Sequence, residues 1–255
     1  MELSGRAALV TGGGTGIGRA TALQLASRGC SVAVNYSRSA DAADETAALA
    51  RDAGVDAIAV RGDVADDADC RRVVDSVVDA FGRLDVLVNS AGTTVFVPHD
   101  DLDGTDADDW QRIFAVNCIG PFQMMRAAAD RLRADGGAEV VNVSSVSGVA
   151  GVGSSLPYCA SKAALNNLTV TMARVLAPEV RVNAVAPGFV TGRWWIEGQG
   201  EDVHDFVRDV AADRAPLKAV CEPDDVADAI LGLIAGSDLT TAQVVVVDGG
   251  MLIAT

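Results

Sequence analysis

Short runs of apolar and β-branched residues recur along the chain: AALVT (7–11), SVAVNY (31–36), DAIAV (56–60), LDVLVN (84–89), EVVNVS (139–144), VRVNAV (180–185) and QVVVVD (243–248). Alanine-rich amphipathic stretches, such as GRATALQLASRG and DCRRVVDSVVDAFG, lie between most of them. Continuously apolar strands alternating with helices predict a parallel sheet covered on both faces. Seven such strands with right-handed crossovers predict a doubly wound α/β fold. Residues 189–222 break the alternation and are expected to form a small lobe beside the site, within one domain spanning 1–255.

Composition narrows the function classes. The formal charge is −15 over 255 residues, which argues against non-specific binding to nucleic acid or anionic membranes, since both need a basic patch. A small anionic ligand, needing only a local positive site, is still allowed. No stretch approaches the ~18 apolar residues of a membrane span, and the N-terminus lacks a leader pattern. Five cysteines without a CxxC pair are expected as reduced thiols, making a soluble cytoplasmic protein the default. The acidic HDDLDGTDADDW (99–110) aligns poorly with a calcium loop, because His99 and Trp110 would fall at ligand positions. It reads instead as a loop and helix start, with Thr105 and Asp108 as a capping pair. No metal site is expected.

Candidate chemistry begins at LVTGGGTGIGRA, which runs from a predicted strand into a predicted helix. Glycines there permit a tight turn and close approach to a pyrophosphate, while the helix N-terminus offers free amides. Gly12, Thr15, Gly16, Ile17 and Gly18 are therefore candidate nucleotide contacts. Two strand ends extend the site: Asp63 and Val64 of GDV, with Asp63 placed to accept from an adenine amino group, and Asn89, Ala91 and Gly92 of NSAG. In YCASK (158–162), Tyr158 and Lys162 stand four residues apart, so a helix projects both from one face.

Taken in order and spacing, TGGGTGIG, NSAG, Asn117, the serines of VNVSSVSG, YCASK and NAVAPGFVTG resemble the short-chain dehydrogenase/reductase family over nearly the whole chain. The resemblance is to its short branch of 3-oxoacyl-carrier-protein reductases and sugar or alcohol dehydrogenases. It implies a Rossmann-like NAD(P)-dependent oxidoreductase with a catalytic tetrad at Asn117, Ser145, Tyr158 and Lys162. Tyr158 would exchange the proton, and Lys162 would lower its pKa by favouring the phenolate and hold the nicotinamide ribose. Ser145 would bind the substrate oxygen, and Asn117 would support a water relaying protons to the lysine. Pro187, Gly188, Val190 and Thr191 would flank the nicotinamide, with Thr191 bonding the carboxamide or a phosphate.

Selectivity is read from the end of the second strand, where NAD enzymes place a carboxylate. Here Asn35 occupies that region, followed by Tyr36, Ser37 and Arg38, a set suited to a 2′-phosphate, so NADP is expected over NAD. Phe189, Trp194, Trp195 and Phe206 cluster in a chain with only 4% aromatic residues. Trp194 and Trp195 would line a substrate pocket or pack the lobe. A small carbonyl or alcohol is the expected substrate. A 3-oxoacyl-carrier-protein reductase is the alternative, disfavoured by the net acidity toward an acidic carrier, and a non-enzymatic dinucleotide sensor is a distant third. A homotetramer is expected from the resemblance and from the apolar surplus on a helix running from about Asp108 to Arg133.

Overall fold

The computed structural model describes residues 1–134, 136–236 and 238–254. In chain order the elements are β1 (Ala7–Thr11), α1 (Gly16–Ser27), β2 (Ser31–Tyr36), α2 (Ala40–Asp52), β3 (Ala57–Arg61), α3 (Asp67–Phe81) and β4 (Val86–Asn89). They continue with α4 (Ala107–Phe114), α5 (Gly120–Ala134), β5 (Ala138–Val143), α6 (Ser147–Ala150), α7 (Leu156–Leu176) and β6 (Val180–Pro187). The chain ends with α8 (Arg193–Gln199), α9 (Glu201–Arg214), α10 (Pro223–Ala235) and β7 (Val244–Val247), followed by a 3₁₀ turn at Met251–Ile253.

The described strands form one seven-stranded sheet in the order β3-β2-β1-β4-β5-β6-β7, and every pairing is parallel. Parallel strands need crossovers, and the helices supply them on both faces. One apolar layer joins Val10, Val32, Val34 and Val141 to Leu25, Ala47 and Ile230 of α1, α2 and α10. The opposite layer joins Leu9, Leu87, Val140 and Val182 to Val77, Leu132 and Leu176 of α3, α5 and α7. Alternate residues of each strand enter opposite layers, as the two-residue repeat of a strand requires. The chain reverses direction of winding between β1 and β4, which opens a crevice above the carboxyl ends of those strands.

The helix expected from Asp108 to Arg133 begins at Ala107 and is not uniform: a π-helical turn at Ala115–Ile119 links α4 to α5. Its cap is also different. The Asp106 carboxylate, not the Thr105–Asp108 pair, accepts the Asp109 amide at 2.9 Å. An ionised oxygen both satisfies a free amide and meets the positive end of the helix. No helix among the described residues is long and apolar enough to cross a membrane, and all five cysteines are free thiols.

Candidate active site

Above the carboxyl ends of the strands lies a cavity of about 740 Å³. Its first wall is backbone. Gly12 sits at φ +63°, and a Cβ there would meet the Ala91 backbone at 3.0 Å. At Gly18 a Cβ would stand 2.3 Å from the Gly12 carbonyl oxygen, so α1 docks on the loop only because that side chain is missing. Gly18 thus shapes the cradle without lining it, whereas Gly12, Thr15, Gly16 and Ile17 face the cavity. The N-terminus of α1 has no side-chain cap and no acidic residue in its first turn. By contrast α3, α4 and α7 are capped by Asp66, Asp106 and Ser155. Uncapped amides with a partial positive charge form a ready anion site.

At the β2 end the cavity meets Asn35, Ser37, Arg38 and Ser39, with Arg61 opposite on β3. Asn35 is buried, and its amide nitrogen donates to the Val60 and Gly62 carbonyls at 3.2 and 3.0 Å, fastening β2 to the loop after β3. Tyr36, expected as a cofactor contact, packs against the apolar layer beneath α1 and α2 instead and does not line the cavity. Period-two alternation accounts for this, since Tyr36 follows Asn35 onto the other face. Ser39 and Arg61 went unread in the sequence, Arg61 because it is brought in by strand pairing with Tyr36. Arg19 points away, into an ion pair with Glu45 at 2.7 Å.

The adjoining strand ends behave differently from one another. Asp63, Val64, Ala91 and Gly92 line the cavity, and the Asp63 carboxylate also accepts the Ala65 amide at 3.0 Å. Asn89 lies beneath it, donating to Asn142 at 2.8 Å across β4 and β5. Asn117, in the π turn, is fully buried and lies outside the lining. Its carboxamide accepts the Thr93 amide at 2.8 Å and donates to the Thr93 carbonyl and to Ser161 Oγ at 2.9 and 3.1 Å. The Asn117 side chain thus pins the β4 loop to α7.

Ser145, Tyr158 and Lys162 converge at the centre of the cavity. Ser155 caps α7 by accepting the Tyr158 amide, so the tyrosine enters in the first turn and Lys162 follows one turn later. Lys162 Nζ lies 5.6 Å from the centre of the Tyr158 ring and donates to the Val143 carbonyl at 2.8 Å. Pro187, Gly188, Val190 and Thr191 form the far wall. The Thr191 hydroxyl donates to the Glu222 carboxylate, so it would have to exchange that partner to reach a ligand.

The two tryptophans sit on α8 and do different things. Trp194 tilts over Tyr158 at 6.4 Å between ring centres and lies 3.5 Å from where a Gly92 Cβ would be. Trp195 also borders the cavity but is wedged between Phe96 and Phe189, at 5.2 and 5.0 Å. Phe206, grouped with them in the sequence, is 69% exposed. Arg112 and Arg193 complete the rim, neither of them legible beforehand because each is carried in from a different helix.

Comparison with known proteins fixes the family. The family model described as enoyl-(acyl carrier protein) reductase matches residues 12–252. A Streptomyces violaceoruber protein named as ketoacyl reductase 2 of the granaticin polyketide synthase is 43% identical, covering 95% of this chain and 94% of its own. A Synechocystis sp. 3-oxoacyl-[acyl-carrier-protein] reductase is 36% identical over 98% of both chains. A crystal structure described as a short-chain dehydrogenase/reductase from Burkholderia xenovorans superposes with a TM-score of 0.90 at 41% identity, over 98% of each chain. This chain is a short-chain dehydrogenase/reductase. Its likeness extends to an NAD⁺-bound xylitol dehydrogenase, at a TM-score of 0.88 and 30% identity, covering 98% of this chain and 100% of that one.

A short-chain dehydrogenase/reductase moves a hydride between a nicotinamide cofactor and a carbonyl or alcohol carbon. The cradle fits such a cofactor: the glycine loop admits backbone approach, and the bare α1 terminus meets phosphate. Burial pushes the Tyr158 phenol up to about 12, partly offset by a hydrogen bond from Ser145. Burial likewise brings Lys162 down to about 8. Both groups are driven toward their neutral forms because each charge loses its hydration.

Proposed function

We propose that this enzyme reduces the ketone of a 3-oxoacyl thioester with NADPH, Tyr158 giving the proton. The observation that carries the reading is a half-buried phenol lining the cavity beside Ser145 and beneath the Trp194 ring, its pKa pushed up to about 12 by lost hydration. A phenol that holds its proton near neutrality is poised as a donor. Ser145 orients the carbonyl oxygen and steadies the charge that grows there. Bound at the cradle, the cofactor supplies the hydride. Lys162 holds its ribose, and Asn117 keeps the Thr93 loop and α7 in register around the reacting atoms.

The names of the relatives support a 3-oxoacyl chain. Arg38, Arg61, Arg112, Arg193 and Lys162 line the cavity beside the carboxylates of Asp63, Asp69 and Glu197, with Arg112 and Arg193 paired to Asp109 and Glu197, in a protein of net charge −15. A mildly basic lining within an acidic protein favours a small anionic thioester over an acidic carrier protein. NADPH is preferred because Ser37, Arg38, Ser39 and Arg61 line the β2 end of the cavity, where the strand carries Asn35 instead of a carboxylate. Arg38→Ala should weaken NADPH binding by about 1.5–3 kcal/mol, roughly 10- to 150-fold, the usual worth of a charge-assisted hydrogen bond, and leave NADH nearly unchanged. We also place the protein in the cytoplasm as a homotetramer. The exposed Trp110, Ile119 and Phe122, on α4, the π turn and α5, would meet a second copy, which light scattering at micromolar concentration checks.

The test is initial rates with acetoacetyl-CoA against NADPH and NADH, beside xylitol with NAD⁺. Acetoacetyl-CoA with NADPH should give the highest kcat/KM. Turnover of xylitol alone, or a preference for NADH, would overturn the substrate or the cofactor reading respectively.

A further inference from the structure

Helix α9 buries His204 at 6% exposure, in a position where an aliphatic side chain would pack without polar atoms to satisfy. The imidazole lies 5.6 Å from the Phe189 ring, and Phe189 in turn lies 5.0 Å from Trp195. Any ring could make that contact. The two nitrogens make contacts that only an imidazole can. The Gly192 amide donates to Nε2 at 3.4 Å, and Nδ1 stands 3.0 Å from Asp205 Oδ1. Arg208 donates to the same carboxylate oxygen at 2.8 Å. A backbone amide can only donate, so Nε2 is bare and accepts. The ring proton therefore sits on Nδ1, where the Asp205 carboxylate accepts it. The partner of one nitrogen sets the state of the other.

Gly192 is the joint at which the far wall of the cavity becomes α8. It sits at φ +121°, and its carbonyl accepts the Trp195 and Ile196 amides at 3.2 and 3.5 Å. Thr191 and Arg193 on either side line the cavity, and Trp194, next along, tilts over Tyr158. Glycine leaves the direction of the chain loosely determined, and α8 has no side-chain cap to fix it. The contact from His204 fixes it from twelve residues further along. We propose that His204 is a positioning residue for the substrate. As an Nδ1-protonated imidazole it latches α9 to Gly192, and so sets α8 at the angle that holds Trp194 over Tyr158. His204 does not itself line the cavity and acts only through this joint.

The inference rests on Trp194 as a wall of the substrate pocket, whichever carbonyl is reduced, and Trp194→Ala tests that premise by itself. The latch is tested with His204→Phe, which keeps a ring against Phe189 but cannot accept a proton, and His204→Gln, whose amide oxygen can. With acetoacetyl-CoA, or whichever carbonyl the wild type turns over, His204→Phe should raise KM about fivefold, the worth of one neutral hydrogen bond. Its kcat and its NADPH affinity by fluorescence should stay near wild type, the signature of lost substrate binding alone. His204→Gln should lie closer to wild type, which a purely packing role would not allow. In a Trp194→Ala background His204→Phe should raise KM no further, because the two act as one unit. Independently of turnover, nitrogen NMR of the wild type at about pH 8 should show His204 with its proton on Nδ1 and a bare Nε2. The chain has two histidines, so His99→Gln assigns the signals. A proton on Nε2, a Gln variant no better than Phe, or a KM rise that adds to that of Trp194→Ala would each overturn the latch.

Discussion

The two walls of the cleft are built on opposite principles. On the nucleotide side, Val10, Val34 and Val88 are fully buried, and the turns between strand and helix close by backbone contact at Gly12 and Gly18. On the lobe side, α8 has no buried residue, and α9 buries only His204 and Ala211. Trp194 stands 43% exposed, Phe206 69% and Leu217 77%. A wall of backbone cannot be re-cut by side-chain change, whereas a wall of half-exposed side chains can. The cofactor half therefore holds one shape for one class of ligand, and the lobe is free to vary with substrate.

Tyr158 stands at the seam of the two walls, and its loss should have the largest effect. Tyr158→Phe keeps the ring that meets Trp194 and removes only the hydroxyl, so kcat should fall by roughly 10²–10⁴ while NADPH binding by fluorescence is unchanged. Retained turnover would detach the chemistry from this seam.

Gly18→Ala probes the rigid wall. Its Cβ would meet a backbone oxygen at 2.3 Å, which has no rotamer by which to yield. Thermal or denaturant unfolding should show a loss of about 1–3 kcal/mol, the cost of overpacking, with cofactor affinity falling as well. A stable, cofactor-binding variant would mean that this wall is softer than its contacts imply.

Inside the lobe the tryptophans should separate. Trp195→Ala, removing the ring between Phe96 and Phe189, should cost about 2 kcal/mol, below the range for fully buried aromatics. Trp194→Ala should barely move stability and should raise KM for the carbonyl substrate. Equal behaviour of the two would erase the division between packing and pocket. The smallest effect belongs to Phe206→Ser, which should change unfolding free energy by less than about 0.5 kcal/mol, as exposed positions do. A larger loss in the isolated subunit would reveal packing on a face that stands open here.

Much of this was legible in advance, for identifiable reasons. All seven strands lie where continuous apolar runs predicted them, their bounds shifted by no more than two residues. Strand ends blur because the apolar run and the hydrogen-bonded ladder stop at different places, as at Leu84 and Asp85, apolar or buried but outside β4. Ser145, Tyr158 and Lys162 meet as their spacing required, since one helix carries two of them. Tyr36 was misread because adjacent residues of a strand face opposite ways, and a motif window ignores that parity. Thr105 was misread as a cap because four carboxylates and a threonine compete within a few residues, and only backbone geometry chooses Asp106.

Local order by itself determined the alternation of strand and helix, the glycine turn, and the facing of tyrosine and lysine, because each depends on periodicity or on backbone freedom within a few residues. Tertiary structure alone decided the rest. Arg61 reaches the β2 end through strand pairing, and Arg112 and Arg193 reach the rim on separate helices. Asn117 is spent on Thr93 and Ser161, which are 24 and 44 residues away in sequence. His99 meets Cys159 across a separation of 60. The pKa values of Tyr158 and Lys162 belong to this second class, because hydration is lost only when the whole fold closes over a side chain, and no spacing of residues encodes it.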